Sequence, residues 1–180
     1  MKKWPGKALL GVFLFLLVLL FAGYYKLGGF NPVQVELVEV DNYHLAGRYF
    51  EGSYESDTVG MYFNQMKEVL GAGVVEGNPV IIYHHEPTDS SGLSMIFVGI
   101  LLSDTEIEPL PSRDLIRIEI DASTAIRVSK KAHISVMPNP DKIDKLIEAY
   151  ARDHRVKIAA LDIEIYHSDN RLVIERPVDE

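Results

Sequence analysis

One carboxylate in the sequence has surroundings suited to chemistry. Glu164 lies between Ile163 and Ile165 in the stretch Leu161–Tyr166, whose alternation of apolar and polar residues is typical of a β-strand. If the two isoleucines face helices, Glu164 and Tyr166 face a groove on the other side. A carboxylate on an apolar floor has a raised pKa, which suits a counter-ion for a cation or a general base. The alternative is an exposed strand glutamate.

Aromatic residues are the second group of candidates. Tyr83 and Tyr166 occupy matching places in the two halves of the sequence, and Tyr54 precedes a predicted helix. Each could stack on a flat ligand and offer a hydroxyl, although tyrosine is also an ordinary residue of half-buried strands. Strand parity adds Phe97 and Ile126 as further candidates for ligand binding.

Metal and cofactor chemistry find little support. The sequence has no cysteine, which excludes cysteine-ligated metals and a cysteine nucleophile. His84, His85 and Glu86 are consecutive, but neighbouring strand residues point to opposite faces, so the two histidines cannot readily share an ion. No phosphate-binding or dinucleotide-binding glycine motif is present. We predict no metal and no cofactor.

Charge is distributed unevenly. The formal net charge is −8 over 180 residues, and from residue 27 onward there are 14 bases against 26 acids. Nucleic-acid binding depends on Lys and Arg that neutralise phosphates. The excess of acidic residues from residue 27 onward therefore predicts no nucleic-acid partner. The same charge favours cationic ligands.

The N-terminal stretch 8–25 contains no charged or amide side chain, which predicts a single transmembrane helix. A cleaved signal peptide is the alternative, but no A-x-A cleavage pattern follows. Three lysines precede the stretch and one follows it, which favours a cytoplasmic N-terminus and a domain outside. The predicted organisation is an anchor with a short basic N-terminus at 1–26, a linker at 27–32 and one domain at 33–180.

The body repeats one order of elements. VELVEVD is echoed by IRIEID 80 residues later, and VIIYHHE by IEIYHSD 83 residues later. We therefore predict an α+β domain built as a pseudo-twofold duplication of a strand–helix–strand–strand unit, with a pocket at the seam. The predicted strands are 33–40, 43–50, 80–83, 95–102, 115–120, 124–129, 161–166 and 172–178, and the predicted helices are 61–70 and one that Asn139 and Pro140 begin.

Three motifs resemble those of the GyrI-like, or effector-binding, domains. They are residues 51–56 (EGSYES), residues 82–87 (IYHHEP), and residues 164–166 (EIY) followed by 174–178 (IERPV). The resemblance implies a concave, ring-lined groove in which one carboxylate, Glu164 by motif position, neutralises a flat, lipophilic, often cationic ligand. In some stand-alone members this carboxylate is implicated in hydrolysing strained cyclopropane-type electrophiles. An apolar N-terminal segment before such a domain is similar to the arrangement in the testis-expressed ER-phagy receptor.

Three functions follow as hypotheses. The favoured one is a membrane-anchored domain that binds an amphipathic or cationic small molecule. The alternative is a hydrolase of electrophilic toxins, with Glu164 as the general base that activates water. The third is a membrane-tethered domain that recruits a protein partner, for which Glu164→Gln would leave the function intact.

Overall fold

The computed structural model describes residues 6–53, 56–85, 94–103 and 114–179, with the side chains of residues 6–9 and 134 outside this description. Most predicted strands are present within a residue or two of their expected bounds. The elements are α1 (Gly6–Lys26), β1 (Gln34–Glu39), β2 (Tyr43–Gly52), α2 (Asp57–Gly71), β3 (Gly77–His84), β4 (Ser94–Leu102), β5 (Ile116–Ile120), β6 (Thr124–Lys131), a 3-10 turn (Ile134–Val136), α3 (Pro140–His154), β7 (Lys157–Ile158), β8 (Leu161–Tyr166) and β9 (Arg171–Asp179).

The strands form one large antiparallel sheet, and the α+β class is confirmed. Its order is β1-β6-β9-β8-β3-β4-β2-β5, with β7 beside β9. The two central strands are β3 and β8. Outward from β3 come β4 and then β2, and outward from β8 come β9 and then β6, so the two sides have the same order. The duplication of the two units stays a prediction.

Local signals explain where the two helices of the body begin. Asn139 caps α3 by accepting a 3.0 Å hydrogen bond from the Lys142 amide, and Pro140 is the first helical residue, as predicted. Helix α2 begins four residues before the predicted Met61, because the Ser56 hydroxyl accepts a hydrogen bond from the Thr58 amide at 3.2 Å. Capping residues therefore set both starts.

The sheet has an apolar core on each face. On one face, α2 packs over a cluster that includes Ile81 and Ile96, and α3 packs over one that includes Ile126 and Ile174. On the other face, residues of the sheet itself enclose a cluster centred on Phe97, together with Tyr43, Leu45, Val80, Ile82, Ile163, Ile165 and Val173. Burying each large aliphatic side chain contributes about 1.5–3 kcal/mol.

Helix α1 overturns one sequence prediction. Within the part of the chain that the structure describes, no helix is both long enough and apolar enough to cross a membrane. This finding contradicts the predicted single-pass anchor at 8–25 and the membrane localisation derived from it. The large apolar side chains from Leu10 to Phe21 are exposed.

The predicted linker is docked on the body. The His133 amide donates to the Leu27 carbonyl at 2.8 Å, and the Lys130 ammonium donates to the Gly29 carbonyl at 3.2 Å. Gly28 adopts a φ of +78°, and a Cβ there would lie 2.8 Å from the Lys131 carbonyl oxygen. Glycine is required at this turn because both the backbone conformation and the space exclude a side chain.

Two glycines face each other across β2 and β4, and the Phe97 ring covers them. Gly47 and Gly99 are register partners, and a Cβ on Gly99 would lie 2.6 Å from both the Ala46 carbonyl oxygen and the Phe97 ring. We predict that Gly99→Ala lowers the free energy of unfolding by about 1–3 kcal/mol, as overpacked core substitutions do. Urea unfolding monitored by circular dichroism measures it.

Gly60 provides the matched control for this substitution. It is exposed in α2, and a Cβ there meets nothing within 4 Å. Gly60→Ala should stabilise the chain by up to about 1 kcal/mol, since alanine favours helix. Equal effects of the two substitutions would contradict the steric account.

Candidate functional site

Glu164 lies on the helical face of the sheet, between the regions that α2 and α3 cover. Its register partners are Ile81 on β3, which belongs to the cluster under α2, and Ile174 on β9, which belongs to the cluster under α3. Ile163 and Ile165 point to the opposite face, away from the helices. The sequence-based assumption that these isoleucines face the helices is therefore wrong, although Glu164 does face a cavity.

Two adjoining cavities occupy the space between the helices, and they share Met137, Tyr166 and Leu172. The inner cavity has a volume of about 240 Å³ and is lined by Tyr83, Val128, Lys130, Met137, Pro138, Pro140, Ile143, Glu164, Tyr166, Leu172 and Ile174. The outer cavity has a volume of about 690 Å³ and is lined by Phe63, Lys67, Leu70, Gly71, Gly77, Asn78, Pro79, Ala132, His133, Met137, Tyr166, His167, Ser168, Asn170, Arg171 and Leu172.

The Glu164 carboxylate has a tyrosine as its hydrogen-bond partner. The Tyr166 hydroxyl donates to Glu164 Oε2 at 2.6 Å, and the Tyr166 ring packs edge-on against Phe63 with centroids 4.8 Å apart. Burial raises the pKa of Glu164 to about 7. The Tyr166 hydrogen bond opposes this shift, while the nearby Asp162 and Asp144 add to it. Glu164 therefore titrates near neutral pH, in the range that suits a general base or a switchable counter-ion.

The neighbouring carboxylate on the same strand has its own cation. Arg176 donates to both oxygens of Asp162 at 2.6 Å, and His85 Nε2 lies 2.8 Å from Asp162 Oδ2. Burial on its own would raise the pKa of Asp162, but the hydrogen bonds from His85 and Arg176 outweigh it and lower that pKa. Asp162 is thus a paired group whose ionised form is favoured.

A third carboxylate, on the opposite face, is also paired. Glu175 is almost fully buried, accepts a hydrogen bond from the Tyr43 hydroxyl at 2.7 Å, and accepts one from Arg127 Nε at 2.6 Å. Burial, followed by the Glu175 charge, raises the pKa of the Tyr43 hydroxyl. Asp162 and Glu175 each have an arginine, whereas no cation among the described residues lowers the pKa of Glu164.

His85, Asp144 and Asp162 place ligand atoms within 4.8 Å of one another, a spacing that a metal ion could use. Arg176 already occupies the middle of this cluster, because its Nη2 lies 2.7 Å from Asp144 Oδ1 and 2.6 Å from Asp162 Oδ2. A second positive charge there would be repelled. We therefore assign these residues to a structural ion-pair network.

The structure brings three of the six predicted ligand-binding residues together. Glu164, Tyr166 and Tyr83 all line the inner cavity. Phe97 does not reach it, because this ring is fully buried on the opposite face of the sheet. Ile126 is fully buried in the cluster under α3 and is not among the residues that line either cavity. Tyr54 lies outside the described residues.

Sequence reasoning missed the residues that complete the cavity walls. Met137 and Pro138 lie between the 3-10 turn and α3, Pro140 is the first residue of α3, and Lys130 comes from the end of β6. The Pro138-Asn139-Pro140 segment was a usable signal, because two prolines around a helix cap fix the chain direction there. No sequence signal indicated Lys130, because its burial depends on the pairing of β6 with β9.

Comparison with solved structures shows the fold. The chain is similar to EcmrR in a cryo-EM structure of its DNA complex, with a TM-score of 0.59 and 16% identity over 82% of this chain and 58% of that chain. The isolated EcmrR C-terminal domain gives a TM-score of 0.57 and 16% identity over 82% of this chain and 98% of that domain. A hydrolase from Listeria innocua gives a TM-score of 0.58 and 8% identity over 81% and 92%.

No protein-family model matches the chain, and no curated protein matches it. The chain spans about 58% of the length of the full EcmrR chain to which it is similar. With identities of 8–16%, these similarities show a shared fold and leave the ligand to be argued from the site. Nothing in them supports the predicted anchor or the likeness to the ER-phagy receptor.

The raised pKa of Glu164 makes stability depend on pH. Between its ordinary value of 4.5 and about 7, the folded chain holds a proton that the unfolded chain releases, so the free energy of unfolding falls as pH rises through this window. Glu164→Gln removes this loss. We predict that the variant gains roughly 2–3 kcal/mol relative to the wild type between pH 4.5 and pH 8.

Urea unfolding at a series of pH values measures this difference. Glu148→Gln, which changes an exposed carboxylate on α3, is the control and should follow the wild-type pH profile. Parallel profiles for the wild type and Glu164→Gln would show that Glu164 titrates normally.

Proposed function

We propose that this chain is an effector-binding domain of the GyrI-like type that binds an amphipathic or cationic small molecule between α2 and α3. The observation that carries the proposal is the Glu164 carboxylate, which faces an aromatic-lined cavity and pairs with no cation among the described residues. Lys130 also lines this cavity, but its ammonium donates to the Gly29 carbonyl. The similarity in fold to the EcmrR C-terminal domain supports the proposal. The matching strand order on the two sides of β3 and β8 supports the duplicated unit, and β1 begins close to the proposed domain start at residue 33.

The Glu164 carboxylate is incompletely paired in the described structure. A carboxylate in apolar surroundings is costly when charged unless a cation or several hydrogen-bond donors neutralise it. Among the residues that the structure describes, Glu164 has one donor, the Tyr166 hydroxyl. A ligand cation in the inner cavity would supply the missing charge, and the rings of Tyr166 and Tyr83 would add cation–π attraction of about 0.5–2 kcal/mol. Such a ligand binds best when Glu164 is ionised.

We predict that thioflavin T, a planar aromatic cation, binds the full chain and that Glu164→Gln weakens this binding about 30-fold or more. The factor corresponds to the roughly 2 kcal/mol lower limit for removing one partner of a buried charge pair. The uncharged, demethylated benzothiazole analogue should bind both proteins equally. Wild-type affinity for the cation should also rise at least about 10-fold from pH 5.5 to pH 8.5, as Glu164 loses its proton.

Isothermal titration measures both affinities, with Glu148→Gln as the charge-matched control. If Glu164→Gln lost affinity for the cation and for its neutral analogue to the same extent, the cavity shape would have changed. That result would contradict the counter-ion role. Absence of saturable binding to the wild type would contradict the proposal as a whole.

Hydrolysis by the same site is the second candidate. A carboxylate with a pKa of about 7, hydrogen-bonded to a phenol, suits removal of a proton from water. The water oxygen would bond to an electrophilic ring carbon, the strained carbon–carbon bond would break, and the proton held by Glu164 would return to the carbon that leaves. We predict that a cyclopropane bearing two geminal esters gains the mass of one water with the wild type and not with Glu164→Gln. Mass spectrometry showing equal, background-level conversion would exclude this activity for that substrate.

A further inference from the structure

The inner cavity is too small for a whole ligand of ordinary size. Its volume of about 240 Å³ falls below the ~300–1,000 Å³ of typical small-molecule sites, whereas the adjoining outer cavity adds about 690 Å³. Tyr166, Met137 and Leu172 line both cavities, so a ligand ring beside Glu164 would continue past them into the outer cavity. The chemistry of the outer cavity therefore decides what the rest of the ligand carries.

The outer cavity differs in charge from the rest of the chain. Lys67 and Arg171 are among its lining residues, together with His133 and His167, and the described lining includes no carboxylate. The chain as a whole has 26 acidic against 18 basic residues. A lining with two permanent cations and no acid is thus opposite in sign to its surroundings, which favours an anionic group.

Nearby acids do not neutralise these two cations. Asp169 Oδ1 lies 3.9 Å from Arg171 Nε, while its other oxygen accepts a 3.0 Å hydrogen bond from Lys131. No ion pair of Lys67 occurs among the described residues. The pairing of Arg171 is long and shared, so both cations have donors left for a ligand.

The C-terminal end of α2 also borders the outer cavity and opposes an anion there. A helix end carries about half a negative charge. The Ala72 amide already bonds to the Glu68 carbonyl at 2.9 Å, and the Gly73 amide bonds to the Leu70 carbonyl at 3.0 Å, which satisfies part of that end. Two full positive charges outweigh the remainder.

We infer that the ligand carries an anionic group, a carboxylate, sulfonate or phosphate, that Lys67 and Arg171 bind in the outer cavity while its aromatic part occupies the inner one. This inference rests on the proposed function, because it assigns the second end of the ligand of the same site. The ligand class is an aromatic molecule with a cationic part beside Glu164 and an acidic arm beside Lys67 and Arg171.

The test uses two probes that share one ring system. The full chain is titrated at pH 7.5 with 8-anilinonaphthalene-1-sulfonate and with uncharged N-phenyl-1-naphthylamine. The double variant Lys67→Gln/Arg171→Gln should bind the sulfonate about 10-fold more weakly and the neutral probe within about 2-fold of the wild type. The control Lys145→Gln/Arg152→Gln removes two exposed charges from α3 and should leave both affinities within about 2-fold.

The outcomes separate this inference from the proposed function. Repeating the titrations in a Glu164→Gln background should leave the effect of the double variant unchanged, because Lys67 and Arg171 act on the other end of the probe. The inference would be overturned if the double variant Lys67→Gln/Arg171→Gln lost affinity for both probes to the same extent. It would also be overturned if the control variant lost affinity for the sulfonate as well. Selective loss of the sulfonate supports it, even if thioflavin T shows that Glu164 is not a counter-ion.

Discussion

The candidate site depends on one electrostatic constraint. The Glu164 carboxylate lies in a largely apolar cavity, and no cation among the described residues is paired with it. Glu164 occupies this position because β8 is central in the sheet and because its neighbours Ile81 and Ile174 belong to two separate apolar clusters. The clusters are separate because α2 and α3 cover different halves of the same face of the sheet. The gap between the helices is therefore where the fold leaves both a cavity and an incompletely paired charge.

The surrounding charges make this position distinctive. Asp162 lies two residues before Glu164 on the same face of β8, and Arg176 neutralises it. On the opposite face of the sheet, Arg127 neutralises Glu175. Buried ion pairs contribute little net stability, but removing one partner is costly because the other remains charged and desolvated. Arg176 and Arg127 are therefore each bound to a carboxylate other than Glu164. Two of these three carboxylates thus have an arginine partner and the third faces a cavity, which is why we propose a ligand as the partner of Glu164.

The sequence predicted much of the fold because alternation, glycine turns and the Asn139 cap are local signals. Three of its candidates, Glu164, Tyr166 and Tyr83, line one cavity. Parity within β8 placed Glu164 and Tyr166 on one face, and Tyr83 followed from its matching place in the other half of the sequence. Parity alone does not say which face the helices cover, so Ile163 and Ile165 were placed on the wrong side. The prediction that Phe97 binds ligand was wrong for the same reason, since only the register of β4 shows that Ile96 and not Phe97 faces the helices. The Arg127–Glu175 pair joins strands 48 residues apart, which no local pattern indicates.

The central claim is that Glu164 is a cavity-facing carboxylate with a pKa near neutrality that a cation can lower. Carbon-13 NMR of chain labelled at the glutamate side-chain carboxyl measures that pKa directly, with the Glu164→Gln spectrum identifying the resonance. We expect titration near pH 7 in the free chain, and a shift to lower pH when thioflavin T is bound, because the cation favours the ionised form. A titration near pH 4.5 that thioflavin T leaves unchanged would contradict it.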